Sequence, residues 1–313
     1  MDVPMRSIIK DTEWNFLGQG RKALMGSGIV CLVCLLSLAL LGLNLGLDFT
    51  GGTLIEVAYP KAVELADVRG ALAEAGFDDA ITQHFGTSSE VLIRVAPREG
   101  MNSATISSEI LRVLEAGQSG VEMRRVEFVG PQVGDELMED GGLAMLYALI
   151  GIMLYVTLRF EWRLALGTIA AIVHDVIITL GIFSLFRVEF DLTVLAAVLA
   201  VIGYSVNDSV VVLDRIRENF RRIRRGDAMK IMNISINQTL SRTLMTSLTT
   251  LLAVVVLFLL GGPAIRSFSL ALIIGVLVGT YSSVYIASAT ALELGVSRED
   301  LLPKAKEEVD ERP

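Results

Sequence analysis

Six long apolar runs, a basic bias at one end of them and one polar interlude of mixed periodicity predict a membrane α-helical bundle. In that reading six transmembrane helices carry an α+β domain inserted after the first. The composition sets the class: 52% of the 313 residues are hydrophobic and 20% charged, and the mean hydropathy is +0.58. Soluble chains of this length sit well below that hydropathy. A net charge of −8 argues against general nucleic-acid binding, which favours a basic surface. No P-loop, no G-x-G-x-x-G pattern and no nucleophile triad occurs, so the expectation is no enzyme and no cofactor.

A bilayer crossing takes about 20 apolar residues. The runs that meet this are 23–43, 141–158, 164–186, 191–212, 242–261 and 267–290. Lysine and arginine orient them. Arg6, Lys10, Arg21 and Lys22 precede the first run, Arg159 and Arg163 separate the second and third, and Arg215, Arg217, Arg221, Arg222, Arg224, Arg225 and Lys230 separate the fourth and fifth. The opposite short loops carry only Arg187 and Arg266. Both termini therefore belong on the basic, cytoplasmic side. The layout is a cytoplasmic segment 1–22, the first span 23–43, an extracytoplasmic domain 44–140, spans two to six over 141–291 with a basic cytoplasmic loop 213–240, and a cytoplasmic tail 292–313 whose end, KAKEEVDERP, is acidic.

The inserted domain has 17 Asp and Glu against 7 Lys and Arg, which long translocated loops tolerate. TLIEVAY (53–59) alternates as a strand, and 62–76 has helical spacing of Val63, Ala66, Val68 and Leu72. ITQHF (81–85) and EVLIRVA (90–96) read as a hairpin around GTSS. A helix over 102–117 presents Ile106, Ile110, Val113 and Leu114, and VEMRRVEFV (121–129) closes as a strand. The order βαββαβ is that of a ferredoxin-like two-layer sandwich, a fold that hosts many functions.

Cys31 and Cys34 form CLVC inside the first span. Redox chemistry needs a partly exposed, low-pKa thiolate, so these read as two inert apolar side chains. Asp175 (beside His174), Asp208 and Arg242 stand inside apolar runs. Each charge costs about 2.5–3.5 kcal/mol at a span centre. Asp175 lies about 18 Å along its helix from Arg163, near the midplane, by the 1.5 Å helical rise. Asp208 and Arg242 sit at similar depth on consecutive spans, so a direct ion pair between them is geometrically reasonable. His174 points about 100° away from Asp175 on a helix, so the two need not act together, and a metal site is not expected.

Two readings of the buried charges stand: a structural one, in which an ion pair fixes helix registry or Arg242 simply snorkels to the cytoplasmic surface, or a proton or ion pathway. The polar neighbours, including Asn207, Ser209 and Thr246 as candidate pore-lining residues, favour the second. Gly51 and Gly52 of DFTGG (48–52) suit a hinge at the junction of membrane and domain, with Asp48 beside them, or an ordinary turn into the first strand.

DFTGG, HDVIITLGIFSL (174–185), VIGYSVNDSVVVLDRIRENF (201–220) and SRTLMTSLTTLL (241–252) together resemble the SecF family, the smaller subunit of the bacterial SecD–SecF membrane complex. The resemblance covers nearly the whole chain. It implies a heterodimer with SecD in an RND-type assembly of the bacterial inner membrane. It also implies that the complex assists the SecYEG translocon by drawing unfolded preproteins out on the periplasmic side with the proton-motive force. The NDS carboxylate and the SRT arginine of that family serve proton transfer, which are Asp208 and Arg242 here; Asp175 lies in the matching HDV motif. A small-molecule exporter half and a passive translocon scaffold are the alternatives. The single copies of the external loop and of the six-span block speak against the exporter.

Overall fold

The structure, a computed structural model, describes residues 13–98, 101–223 and 225–301. Arg6, Lys10, Arg224 and the acidic tail 304–313 lie outside the described residues. In chain order the elements are α1 (Gly20–Leu41), β1 (Asn44–Leu45), α2 (Leu47–Thr50), β2 (Gly52–Ala58), α3 (Leu65–Glu74), β3 (Ile81–Phe85), β4 (Thr87–Val95), α4 (Ser103–Gly117) and β5 (Glu122–Val129). There follow α5 (Pro131–Arg159), α6 (Trp162–Leu185), β6 (Glu189–Phe190), α7 (Leu192–Arg222), α8 (Ala228–Leu260), α9 (Arg266–Ser282), α10 (Ser288–Glu293) and α11 (Arg298–Leu301).

Among the described residues six helical units are long and apolar enough to cross a membrane. The sixth, Pro263–Glu293, is composite: a 3-10 turn, α9, a five-residue π-helical turn at Ser283–Ala287 and α10. Several helices run well past the apolar stretches. α5 starts at Pro131, ten residues before the apolar run, because proline suits the first helical turn. The segment 213–240 is not a loop. α7 continues through Arg222, and Asp227 caps α8 by accepting from the Lys230 N–H at 3.1 Å. Sequences such as RIRENFRR favour helix and fail only the hydropathy criterion.

The inserted domain is a four-stranded antiparallel sheet in the order β3-β4-β2-β5. The pleat sorts β4 cleanly. Val91, Ile93 and Val95 are buried among Val68 and Leu72 of α3 and Ile106, Ile110 and Leu114 of α4. Leu92 and Arg94 take the opposite face, toward the bundle. Each aliphatic side chain so buried contributes about 1.5–3 kcal/mol. The hairpin turns tightly at Gly86, with φ +83°, so β4 begins at Thr87 and the expected GTSS loop is mostly strand. Glycine there takes a positive φ without strain, which permits the shorter turn.

At the junction, β1 pairs in parallel with β6, joining the end of the first span to the connection between α6 and α7. Arg94 reaches down from the sheet, donating to the Leu45 carbonyl at 2.9 Å and pairing with Glu189. Burial pushes the Glu189 carboxyl above the usual glutamate range, against the pull of Arg94. Asp48 accepts the Leu192 N–H at 3.0 Å, next to the Asp191 cap on Val194 N–H at 2.8 Å. Gly51 and Gly52 have φ of +65° and +120°. A Cβ on Gly52 would strike the Val95 carbonyl, and one on Gly51 would press on Pro131. These glycines let the strand entering the domain and the helix leaving it cross in contact.

Small residues bring the bundle helices together, as lipid-embedded packing favours. Gly275 and Gly279 of α9 lie against Val201 and Ser205 of α7, and Gly181 of α6 lies against Cys34 of α1. Cys34 is buried and both thiols are free.

Candidate functional site

The interior of the bundle gathers two carboxylates and a set of hydroxyls. Asp175, fully buried on α6, accepts from Ser205 Oγ of α7 at 2.5 Å and from Ser282 Oγ of α9 at 2.7 Å, both at Oδ2. His174 Nδ1 lies 2.8 Å from Asp175 Oδ1. The neighbouring pair therefore does touch, despite the angle of about 100° between successive side chains of a helix. In a neutral imidazole, a hydrogen bond donated from Nδ1 to Asp175 leaves Nε2 without a proton. Nε2 is buried with no hydrogen-bond partner among the described residues.

Asp208 is 4% exposed on α7. Its Oδ2 accepts from Ser283 Oγ at 3.2 Å, and Thr243 and Arg242 of α8 are within electrostatic reach. No ion pair joins Asp208 to Arg242 among the described residues. Arg242 lies on an exposed position of α8, one residue before the buried Thr243, and acts on Asp208 through its charge without pairing with it. Asn207 and Thr246 are also exposed. The Thr246 hydroxyl is tied to its own helix, donating to the Thr243 carbonyl at 2.9 Å. Ser209 is fully buried, and its hydroxyl has no hydrogen-bond partner among the described residues. Asp48, Gly51 and Gly52 belong to the junction, far along α7 from Asp208.

Serines 282 and 283, missed by sequence reasoning, are what bring the two carboxylates to one place. They are adjacent on the sixth unit, at the start of its π-helical turn, and each binds a different aspartate. π turns inside α-helices occur often at functional sites. A hydroxyl ladder continues from there: Ser247 Oγ lies 2.6 Å from Thr280 Oγ1, and Tyr204 donates to Ser247 at 3.1 Å. Among the described residues no group of three or more His, Cys, Asp and Glu is placed to hold a metal ion. Hydroxyls can donate to a carboxylate or accept from a carboxylic acid. The hydroxyls of the cluster can therefore satisfy either protonation state of the carboxylates.

Comparison with known proteins identifies the family. The SecD/SecF protein export membrane protein C-terminal family matches residues 110–297, and the SecD/SecF GG motif matches residues 36–63, which contain Gly51 and Gly52. The chain is similar to the protein translocase subunit SecF of Vibrio alginolyticus, with 52% identity over 96% of each chain. It is also similar to the crystal structure of SecDF, a translocon-associated membrane protein from Thermus thermophilus, with a TM-score of 0.82 and 38% identity over 91% of this chain. A second SecDF structure, in a super-membrane-facing form, gives a TM-score of 0.70 with 37% identity over 94% of this chain. The chain spans 39% and 40% of those two solved chains. With the translocase relative aligned nearly end to end and the family match running through α4 to α10, the chain belongs to the SecF family of protein translocase subunits.

Proposed function

We propose that the chain is the SecF half of a SecD–SecF complex in a bacterial inner membrane, using the proton-motive force to draw preproteins from the SecYEG translocon. The observation that carries this is the pair of buried aspartates that accept from adjacent serine hydroxyls of one helix. Two lone carboxylates inside a membrane bundle cost about 5–7 kcal/mol on the insertion scale, and simple helix packing would not retain them. Asp208 takes up and releases a proton in each cycle, Asp175 is the second carrier, and Arg242 favours ionised Asp208 from the neighbouring helix. A proton falling through 100 mV releases about 2.3 kcal/mol, enough to bias a two-state helix arrangement.

Three features support the wider reading. Arg242, Asn207 and Thr246 face outward on α7 and α8, where a six-span SecD half docks and supplies a further relay carboxylate. The longer solved SecDF chains leave room for that half. The basic end, with Arg159, Arg215, Arg217, Arg221 and Arg222, is cytoplasmic by the distribution of positive charge, which puts both termini there and the sheet domain in the periplasm. The β3-β4-β2-β5 order with helices on one face supports a ferredoxin-like domain that grips or releases the emerging chain. The function needs no cofactor and no covalent catalysis.

The test is preprotein translocation into inverted membrane vesicles containing SecD and this chain, with Asp208→Asn compared to wild type. The variant assembles with SecD and loses the component of late, ATP-independent translocation that depends on the proton gradient. A full response to the gradient in the variant would instead make the chain a passive scaffold.

A further inference from the structure

Ser282 and Ser283 each have two acceptors in reach. Ser282 Oγ lies 2.7 Å from Asp175 Oδ2 and 3.2 Å from the Gly279 carbonyl oxygen. Ser283 Oγ lies 3.2 Å from Asp208 Oδ2 and 3.1 Å from the Thr280 carbonyl oxygen. A hydroxyl has one proton to give, so each serine serves one acceptor at a time. The carbonyls belong to the residues three positions back on the same helix, and the helix enters its π-helical turn at Ser283.

We propose that Ser282 and Ser283 are positioning residues that convert the protonation state of Asp175 and Asp208 into a change of shape in the sixth span. This rests on the reading that those aspartates carry protons. An ionised aspartate takes the serine proton. When a proton arrives on Asp208 Oδ2, the new O–H donates to Ser283 Oγ, and the serine turns its own proton to the Thr280 carbonyl. Only rotation about the Cα–Cβ and Cβ–Oγ bonds occurs at the serine, and no bond to it breaks. Ser282 does the same between Asp175 and Gly279. Back-bonding of serine to a carbonyl of the preceding turn bends a helix, and here it acts where the α-helical ladder already gives way to the wider turn. Because the two serines are consecutive, the two carboxylates bias one joint.

Other polar and charged groups facing the pair set the background. Thr243 of α8 lies against Asp208, and the charge of Arg242 reaches it from an exposed position on the same helix. His174 of α6 and Cys31 of α1 face Asp175, and Tyr281 of α9 stacks near His174 with ring centroids 6.2 Å apart. None of these contacts both carboxylates through one backbone, as the serines do.

The experiment uses SecD and the full chain in vesicles, and follows gradient-dependent translocation against pH. Ser283→Ala moves the midpoint toward alkaline pH by about one unit, as expected when an ionised carboxylate loses one donor. Ser283→Thr keeps the wild-type midpoint, and Ser283→Cys, with its weaker donor, falls between. Spin labels flanking the π turn report a pH-dependent distance in wild type that disappears in the Ser282→Ala, Ser283→Ala double variant. A double variant with the wild-type midpoint and distance change overturns the inference, as does a threonine variant that behaves like alanine. If Asp208→Asn abolishes the gradient response while the serine variants behave as wild type, only this inference fails. If Asp208→Asn retains the response, the proton-carrier reading fails first. Should alanine at 283 prevent assembly with SecD, the threonine and cysteine variants still decide the outcome.

Discussion

The sheet domain buries Ile55, Val57, Val91, Ile93 and Ile110, whereas the helix bundle buries Asp175, Ser205, Asp208, Ser282 and Ser283 and leaves Leu40, Leu158 and Leu260 about four-fifths exposed. The first core answers to water: apolar area leaves the solvent, and that transfer holds the sandwich together. The second answers to lipid, which is as apolar as leucine, so nothing is gained by hiding leucine there. Close packing of Gly275 on Val201 and hydroxyl contacts between helices do the holding instead. A polar interior is thus the ordinary material of this bundle, and what stands out is charge within it.

The sharpest way to break the contrast is to put a carboxylate into each core. Ile93→Asp leaves an unpaired charge in the sheet domain at a cost of about 4–5 kcal/mol or more, beyond what a small domain survives. Limited proteolysis of the membrane-embedded protein reads this as cleavage within 52–129. The reverse substitution, Asp175→Leu, is expected to cost the bundle less, about 1–3 kcal/mol, because it removes a charge but strands the Ser205 hydroxyl and His174 Nδ1. Thermal unfolding in detergent measures the loss, and the same variant loses gradient-driven translocation. A variant that keeps gradient-driven translocation assigns the aspartate to packing.

The boundary between the two cores gives the smallest effect. The Glu189 pKa is raised where the domain docks, chiefly by burial, with Arg94 lowering it, Asp191 and Asp48 raising it and Gln83 lowering it. A raised carboxyl favours docking fully below the ordinary glutamate value of about 4.3, and that contribution is lost as pH rises through the shifted value. Spin labels at Ser88 and Ala264 are expected to show a broader distance distribution above that window than below it. Glu189→Gln flattens the dependence; an unchanged pH response in that variant would assign it to another group.

What the sequence made legible follows the same division. The spans were readable because apolar runs of that length have few other uses, and Asp175 and Asp208 because a carboxylate in such a run is costly. Their ends were not, since Arg215–Arg222 and residues 131–140 are polar yet helix-competent. The domain's strands and helices were readable from period, and Gly86 moved the hairpin turn by taking a conformation that GTSS only hinted at. Ser282 and Ser283 left no signal, because serine in a membrane helix most often packs or bonds its own backbone. β1 and β6 have two residues each, too few to show a period. The orientation of Arg242 was lost for a simpler reason: depth along two helices says nothing about which way each is rotated.

α7 runs unbroken for 31 residues, with Asp208 close to its middle. By helical rise, Asp208 is about 24 Å from Leu192 and about 21 Å from Arg222. One end is fastened by Asp48 to the threshold of the sheet domain, and the other by Arg221 to the Leu301 carbonyl and by Asp214 to Arg159. In the proposed proton cycle, a tilt of about 5° about Asp208 carries each end of such a rod about 2 Å in opposite directions, so protonation of one oxygen atom would be felt at both ends of the helix.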